Sequence, residues 1–378
     1  MALNTLPNEG LTSRGYPSDR IVTPLIINGD MQIAQRGTST ASITGTDVFV
    51  VDRWRMDEGA DSTLTMSQES LSSGNAYNNG FKKSLKVLVT TADSSIGSSQ
   101  SVQLIQHVEA QNLQGLKFGT SGAKNLTLSF WYKSNVTGVH TVCIDKPDST
   151  RTTCPLEFTV SSSGTWEKHV LNANANSAVQ GSSGAIANDN GTGFRVMWGL
   201  AYVSSYLSGT SGTWEQNGTG SFSTSNQQNI VGSADNYVEV TGVQLEIGQF
   251  DSNTIPDFPF EDVENNLRRC RRYYEMIVNK DVNKVIATGG CYQSDVVSIN
   301  YQWYPKRATP SVDQGSGTNY FGFNRGGGAI TFNSIKIYSA TATAGLLYSD
   351  DGVSASTYEN GWIYIANSSA YVALDSEL

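Results

Sequence analysis

Few side chains in this sequence have the chemistry of a catalytic centre. The chain has three histidines, His107, His140 and His169, and none lies beside a recognisable nucleophile. His107 falls in an apolar stretch and His169 follows Trp166, which is typical of structural histidines. The sequences that build a nucleophile elbow, a P-loop or a zinc-binding helix do not occur. We therefore predict that the chain is not an enzyme.

Paired carboxylates are the other possible catalytic groups, because glycoside hydrolysis needs two carboxyl groups about 5–9.5 Å apart. Two acidic groups occur, and both are predicted to be solvated loops: Asp57 with Glu58 and Asp61, and Asp350 with Asp351. A polysaccharide depolymerase built as a long β-helix would also show a repeat of roughly 20–30 residues, and no such repeat is present. Hydrolysis of a polysaccharide stays an alternative, but the residues do not favour it.

Aromatic side chains in glycine-rich stretches are a different kind of candidate. The apolar faces of sugars stack on Trp and Tyr rings, while sugar hydroxyls pair with Asn, Asp and Gln. The candidates for such stacking are Trp214, Tyr202, Tyr206, Tyr320, Phe323, Tyr358 and Trp362. Aromatic residues in strands more often belong to a core, so a packing role is the alternative for each.

The charge of the chain argues against nucleic acid as a partner. The formal net charge is −9, whereas binding to phosphates requires clustered Lys and Arg. One basic cluster lies on a predicted helix: Arg268, Arg269, Arg271 and Arg272. We expect it to pair with acidic groups and position neighbouring subunits, with anion binding as the alternative. No run of about 18 apolar residues occurs, so no membrane insertion is predicted.

The cysteines do not have the spacing of a metal site. The chain has four, and none forms the paired Cys-x-x-Cys arrangement of a structural zinc site. Cys143 and Cys154 flank a turn-like segment and could face each other across a hairpin. Free thiols are the favoured alternative for a protein assembled in a reducing compartment.

Short apolar and β-branched runs between Gly- and Ser-rich turns predict an all-β chain. In one such run Leu126, Leu128 and Phe130 alternate with polar or aromatic neighbours, so that they share one face of a strand. Short strands at this spacing favour a two-sheet sandwich, which we place at residues 25–250. A second β domain is predicted at residues 281–378, with a core too thin for a solitary domain.

The remaining segments are predicted to be an arm and a linker. Residues 1–24 contain several prolines and glycines and show no periodicity, which favours an extended arm. Residues 251–280 begin with a proline-containing segment and continue as a helix over 261–278. Apolar residues in this helix recur at heptad-like spacing and predict a trimer axis, formed by Val263, Leu267, Cys270, Tyr274 and Ile277.

Two segments carry a resemblance to a known family. Residues 25–38 read LIINGDMQIAQRGT and are followed by VDRW at 51–54, and residues 237–248 read YVEVTGVQLEIG. Both segments are predicted to be β-strands, the second closing the domain that the first opens. With RYYE at 272–275 and KRATPSV at 306–312, they resemble bacteriophage tail-fibre and head-fibre virion proteins. The resemblance covers about residues 25–280 and extends more loosely over the remainder.

This resemblance implies a fold, an assembly and a location. It implies a jelly-roll β-sandwich similar to a carbohydrate-binding module, followed by a distal trimerisation and receptor-binding domain in a homotrimer. The N-terminal arm would dock to other virion proteins. The start of the sequence lacks the basic and apolar regions of a signal peptide, which fits a virion assembled in the host cytoplasm. Whether the protein belongs to the head or the tail is left open.

The expected function is adhesion to host surface glycans by a short trimeric fibre or spike component. The alternatives are a purely architectural role, as a head-fibre, decoration or tail adaptor protein, and a polysaccharide depolymerase. Similar sugar-binding modules often carry a structural calcium where their first and last strands meet. Asp30 and Glu239 are weak calcium candidates on that ground, with solvated carboxylates as the favoured alternative. No other cofactor is expected.

Overall fold

The computed structural model describes residues 23–216 and 220–378, which form two compact units. The first unit is Met1–Glu261 and the second is Asp262–Leu378. The predicted docking arm, residues 1–24, lies almost wholly outside the described residues. The predicted linker is divided, because residues 251–261 belong to the first unit and the helix that follows belongs to the second.

The first unit is a jelly-roll β-sandwich of two antiparallel sheets. The six-stranded sheet has the order β1-β4-β5-β13-β7-β10 and the seven-stranded sheet the order β12-β9-β8-β11-β6-β3-β2. Its strands are β1 Ser39–Ile43, β2 Val48–Phe49, β3 Arg55–Glu58, β4 Thr63–Ser70, β5 Lys83–Thr91, β6 Ser101–Glu109, β7 Leu126–Ser134, β8 Gly138–Lys146, β9 Thr152–Val160, β10 Glu167–Ala173, β11 Thr192–Tyr202, β12 Glu215–Gln216 and β13 Tyr237–Ile247. Short helices are α1 Asn75–Asn78 and α2 Gly181–Gly184, with 3-10 turns at Ala110–Leu116, Ser177–Val179, Ser204–Tyr206 and Ile230–Gly232.

The core of the sandwich follows from alternation along the strands. In β7, Leu128, Phe130 and Tyr132 face inward, and Phe130 meets rings from the opposite sheet. Its ring centroid lies 5.1 Å from that of Phe158 and 5.4 Å from that of Trp198, both at edge-on angles. Such geometry adds about 0.5–1.5 kcal/mol per aromatic pair beyond the burial itself.

The opening segment of the domain is not a strand, which corrects one prediction. Residues 25–30 form turns and bends and residues 31–34 are irregular, with Asn28 and Met31 at positive φ of 57° and 60°. Pairing along a strand requires extended φ, so these two residues interrupt it. The segment nevertheless meets the closing strand, because Val243 N donates to Gly29 O at 2.9 Å.

Cys143 and Cys154 do not face each other. In the hairpin of β8 and β9, Cys143 pairs with Pro155 and Cys154 with Ile144, an offset of one residue. Successive side chains point to opposite faces of a sheet, so Cys154 lies in the core while Cys143 lies on the outer face. Both thiols are free and buried. Burial raises the pKa of the Cys143 thiol well above its ordinary value.

The predicted helix over residues 261–278 is shorter than expected. Helix α3 spans Val263–Arg271, and the side chain of Asp262 caps it by accepting from Asn265 N at 3.0 Å. Residues 274–279 form a strand instead, because a run of aromatic and β-branched residues pairs with the C-terminal strand. Tyr274 and Ile277 therefore lie on a strand, and the five predicted axis residues do not form one helical seam.

The second unit is also antiparallel and has two sheets. A three-stranded sheet has the order β14-β23-β17, and a seven-stranded sheet has the order β19-β18-β22-β15-β16-β21-β20. Its strands are β14 Tyr274–Asn279, β15 Val285–Gln293, β16 Val296–Gln302, β17 Ser311–Gly315, β18 Phe321–Arg325, β19 Gly328–Phe332, β20 Lys336–Tyr338, β21 Ala344–Ser349, β22 Asn360–Ile365 and β23 Tyr371–Asp375. The core between them includes Phe321, Ile363, Val372 and Leu374. No helix in the described part of the chain is long and apolar enough to cross a membrane.

Candidate ligand-binding surfaces

Trp214 is a core residue, which corrects its prediction as a stacking platform. Its side chain is 1% exposed, and its ring packs edge-on against Phe118 at 5.4 Å between centroids. It also stacks with Phe194, which lies on β11. Phe118 and Phe194 are apolar, which favours a packing role for them. Neither is near Trp214 in sequence, so the sequence does not show that they cover its ring.

Tyr202 and Tyr206 belong to a small apolar cluster on the outer face of the seven-stranded sheet of the first unit. Tyr202 is buried, and its ring stacks on Phe222 at 6.1 Å while Tyr206 meets Phe222 edge-on at 5.1 Å. The hydroxyl of Tyr202 donates to Gln103 Oε1 at 3.1 Å, and burial raises its pKa well above the usual range. Neither ring face of Tyr202 is open to a ligand, although Tyr206 stays partly exposed.

In the second unit the predicted aromatic residues divide into two groups. Phe323 is fully buried and faces the core, which excludes it as a sugar platform, and Tyr320 is half-buried against the same core. Tyr358 and Trp362 are exposed by 84% and 44%, respectively. They are the only two of the seven predicted aromatic residues that expose more than a third of their surface within the described ranges.

Tyr358 lies at an open groove on the outer face of the second unit's larger sheet. The groove has a volume of about 480 Å³ and crosses β15 and β16. Its lining is Thr288, Gly289, Gly290, Cys291, Tyr292, Ser298, Ile299, Asn300, Leu346, Tyr358 and Asn360. Trp362 is adjacent, because it pairs with Thr288 across β15 and β22. The groove thus combines exposed rings with amide and hydroxyl groups, the pairing that suits a sugar.

Glycines make the groove open. Gly289 and Gly290 lie inside strand β15. A Cβ at Gly290 would lie 2.7 Å from Asn360 Oδ1, and one at Gly289 would lie 2.3 Å from Ser298 O. A larger residue at either position would collide with the next strand, so glycine gives close strand approach and a shallow floor.

The loop that carries Tyr358 is fixed by hydrogen bonds on both sides. Tyr358 N donates to Cys291 O at 2.6 Å, and Cys291 N donates to Glu359 O at 2.9 Å. The Glu359 carboxylate accepts from Ser356 N at 2.8 Å and pairs with Arg325 Nη1 at 3.0 Å. Tyr358 itself has φ of 67°, a conformation that bulky side chains rarely adopt. These hydrogen bonds fix the backbone of the loop, from which the exposed Tyr358 ring projects.

The calcium candidates are buried carboxylates rather than an open ligand set. Glu239 is 2.8 Å from Lys133 Nζ and accepts from Ser84 Oγ at 3.2 Å. Asp30 is also buried. Across residues 23–216 and 220–378 there is no group of three or more His, Cys, Asp or Glu that could hold a metal ion. The Lys133 ammonium offsets the charge of Glu239 within the sheet.

The ammonium of Lys146 binds a cluster of backbone carbonyl oxygens in the first unit. Lys146 Nζ donates to Thr150 O at 2.9 Å and Ser183 O at 3.3 Å, with further contacts to the carbonyls of Asp148 and Ala185. Burial lowers the pKa of Lys146. The side chain joins the β8–β9 turn to the segment around α2 and supplies the positive charge that these carbonyls favour.

His140 is buried in a neutral hydrogen-bonded setting, whereas His169 is half-buried and its Nε2 has no hydrogen-bond partner among the described residues. His140 Nε2 lies 2.9 Å from Val136 O and Nδ1 lies 3.0 Å from the Tyr132 hydroxyl, so the ring donates at Nε2 and accepts at Nδ1. Burial lowers the pKa of His140 to about 4 and that of His169 to about 4. Histidines with pKa values this low do not exchange a proton readily near neutral pH, as a general acid or base would need to do.

The acidic group at Asp57 and Glu58 lies on strand β3, not in a solvated loop. Asp57 accepts from Arg55 Nε at 2.7 Å and from Asp47 N at 3.0 Å. Glu58 is buried, accepts from Ser62 Oγ at 2.7 Å, and has its pKa raised by burial. These partners tie the carboxylates into the start of the sandwich.

Comparison with known proteins gives structural similarity only. No protein-family model and no curated protein matches the chain. Among solved structures, the enzymatically active domain of tailspike protein 4 of bacteriophage CBA120 aligns with a TM-score of 0.29 and 12% identity over 59% of this chain and 21% of that one. A family 11 carbohydrate-binding module of a Clostridium thermocellum cellulase aligns at 0.27 and 14% over 56% of this chain and 96% of that one. TmCBM61 in complex with β-1,4-galactotriose aligns at 0.26 and 12%, over 59% and 97%.

The aligned part therefore spans only about a fifth of the tailspike domain but nearly the whole of each carbohydrate-binding module. At these TM-scores and identities the similarity carries no argument about ligand, activity or assembly. What this chain binds has to be argued from its own residues.

Proposed function

We propose that this protein is a bacteriophage virion component that binds host surface glycans, as a short trimeric tail fibre or spike. The observation that carries the glycan-binding part is the open groove beside Tyr358 and Trp362. Support for the virion part comes from the resemblance of the segments at residues 25–54 and 237–248 to fibre proteins. The chain acts by adhesion and performs no chemistry on the glycan.

The groove provides the contacts that a neutral sugar needs. The Tyr358 ring, and the neighbouring Trp362 ring, offer apolar faces for the C–H surface of a pyranose. Asn300 and Asn360 supply amides, and Thr288 and Ser298 lie on strands at the same floor. A shallow, open site of this kind binds weakly, and multiple copies on one particle convert weak binding into firm attachment.

The test uses the full-length protein on an array of bacterial lipopolysaccharides and capsular polysaccharides. Tyr358→Ala and Trp362→Ala should each weaken binding at least about tenfold, equivalent to about 1.4 kcal/mol, because each removes a stacking face. Tyr338→Ala is the matched control, since Tyr338 is 63% exposed in the same unit but does not line the groove. Its binding should equal that of the unchanged protein.

The same experiment separates the alternatives. If the unchanged protein binds no polysaccharide on the array, glycan adhesion is wrong and an architectural role becomes the better explanation. If the two variants bind as well as the control, the groove is not the site. Release of reducing ends from a bound polysaccharide would show a depolymerase and would contradict the non-catalytic part of the proposal.

A further inference from the structure

A second pocket lies on the outer face of the first unit's six-stranded sheet, whereas the groove described above belongs to the second unit. It has a volume of about 320 Å³ and lies over β7 and β13, under the segment that follows β13. It is lined by Asn79, Phe81, Ser129, Trp131, Lys168, Gly242, Gln244, Asp257, Phe258 and Phe260. This volume is at the lower end of the range of about 300–1,000 Å³ for small-molecule sites.

The aromatic wall of this pocket is rigid and partly open. The rings of Phe81, Phe258 and Phe260 contact one another pairwise, with centroids 5.0, 5.1 and 4.9 Å apart. Phe260 nevertheless exposes 52% of its surface. A ring that is fixed by two neighbours and still half exposed is a preformed stacking face, because no side-chain entropy has to be lost when a ligand binds. Trp131 adds a nearly buried ring at the sheet surface.

An irregularity in strand β13 makes room for this wall. The register of β13 with β7 shifts between Thr241 and Gln244, and Gly242 within that shift has φ of 62°. A Cβ at Gly242 would lie 2.6 Å from the Phe81 ring. The bulge therefore needs glycine twice, for its backbone conformation and for the approach of Phe81.

The floor and rim are polar. Ser129 and Gln244 are buried neighbours on β7 and β13, and the Gln244 amide is oriented by donating to Pro256 O at 3.0 Å. Lys168 on β10 lies opposite Trp131 in the strand register, so the two side chains lie on the same face of the sheet. The Lys168 side chain is exposed and has no ion pair within the described ranges. Asp257 also lies on the rim.

We propose that this pocket binds a single carboxylated pyranose residue, that is, an acidic sugar of a surface glycan. The apolar face of the sugar ring stacks on Phe260, its carboxylate pairs with Lys168, and its hydroxyls meet Ser129 and Gln244. An unpaired lysine beside an aromatic face is what distinguishes this pocket from the neutral groove of the second unit. The choice of ligand class rests on the proposed function, whereas the location rests on the pocket alone.

The test titrates the full-length protein with matched sugars. The probes are the methyl glycosides of glucuronic, galacturonic and mannuronic acid, each compared with its neutral hexose counterpart, and binding is followed by ligand-observed NMR and calorimetry. At least one acidic glycoside should bind more tightly than its neutral counterpart, and this preference should weaken with added salt. Lys168→Gln should reduce acidic binding about tenfold and leave neutral binding unchanged, while Phe260→Ala should reduce both.

Controls keep this pocket distinct from the groove. Lys117→Gln removes an exposed lysine of the same unit that does not line the pocket, and it should bind like the unchanged protein. The Tyr358→Ala variant should retain the acidic preference. If both Lys168→Gln and Phe260→Ala bind acidic glycosides normally, or if no acidic preference exists, the pocket proposal is wrong while adhesion through the groove can stand. Loss of polysaccharide binding in the Tyr358→Ala variant together with retained acidic binding would separate the two sites.

Discussion

A single asparagine organises the opening segment of the sandwich. Asn28 is buried at a φ of 57°, and its side chain bonds Ile33 twice, accepting from N at 2.9 Å and donating to O at 2.9 Å. The same amide donates to Asp52 O at 3.0 Å, and the Asn28 carbonyl accepts from Trp54 Nε1 at 3.0 Å. One residue thus replaces the strand pairing that this segment lacks, which explains how a non-strand segment can still open the domain.

Replacing Asn28 should destabilise the first unit strongly. Asn28→Ala removes three side-chain hydrogen bonds and leaves buried backbone groups at Ile33 and Asp52 without partners, so we expect a loss of about 3 kcal/mol in the free energy of unfolding. It also places alanine at positive φ, which costs about 1 kcal/mol more. The measurement is urea unfolding followed by tryptophan fluorescence, since Trp54 reports on this segment.

Asn28→Gly is the matched control for the backbone part of that effect. Glycine tolerates the positive φ, so this variant should lose only the hydrogen-bond contribution and be less destabilised than Asn28→Ala. A loss below about 1 kcal/mol in both variants would contradict the organising role of the side chain.

At the scale of elements, strand positions follow from local alternation but the ends of the helix do not. Strand β13 spans Tyr237–Ile247 and agrees with the predicted segment, because its alternating apolar residues lie between glycine- and asparagine-rich turns. Helix α3 ends at Arg271, although an apolar periodicity continues beyond it. Pairing of the next residues with β23, almost 100 positions later, overrides local helix propensity.

The candidate groove could be predicted only in part for the same reason. Tyr358 and Trp362 stand out in the sequence because they are aromatic residues near turns. Tyr292, Asn300 and the two glycines of the floor do not stand out, since they come together only when β15, β16 and β22 pair. Trp214 looks equally exposed in sequence, but rings from distant elements cover it. Local patterns indicate residue type, and tertiary pairing decides exposure.

Two histidines in the strands of the sandwich should make the free energy of unfolding of the first unit depend on pH. His140 on β8 and His169 on β10 have pKa values lowered to about 4 by burial, whereas unfolded histidine titrates near 6.5. The unfolded state therefore binds more protons between these values, and stability is full above about pH 6.5 and decreases as the pH falls towards 4. At about pH 5 each histidine should lower the free energy of unfolding by about 2 kcal/mol relative to its value at neutral pH.

Calorimetry at about pH 7.5 and about pH 5 measures this effect as a fall in the melting temperature of the first unit. His140→Gln removes one titrating group and can still donate to Val136 O, so its melting temperature should fall less between the two pH values. Equal shifts in the variant and the unchanged protein would contradict the assignment to His140. A constant melting temperature over this range would contradict it for both histidines.

At the scale of the whole molecule, the second unit leaves several large apolar and aromatic side chains exposed. Its exposed apolar and aromatic residues are Val263, Val282, Val285, Tyr292, Tyr338, Tyr358 and Trp362. The aromatic members at the groove are assigned to glycans by the proposal above. The valines have no such role, since Val263 is 63% and Val285 is 54% exposed and aliphatic side chains offer no hydrogen bonds. Exposed aliphatic side chains without a ligand role are candidates for contact with another chain.

We expect these valines to be covered by other copies of the chain in a homotrimer. Sedimentation equilibrium should give three times the chain mass of 40.7 kDa at micromolar concentration. Val285→Asp should shift the equilibrium towards monomer by at least about tenfold, because a charge would be buried where a valine side chain had contributed about 1.5 kcal/mol. Ser368→Asp, at an exposed turn of the same unit, controls for the added charge and should leave the mass unchanged.

The proposed adhesion depends on this result, since weak binding at the groove gives firm attachment only when several copies face one surface. A monomeric mass for the unchanged protein would exclude the trimer, and avidity would then require several separate copies on one particle.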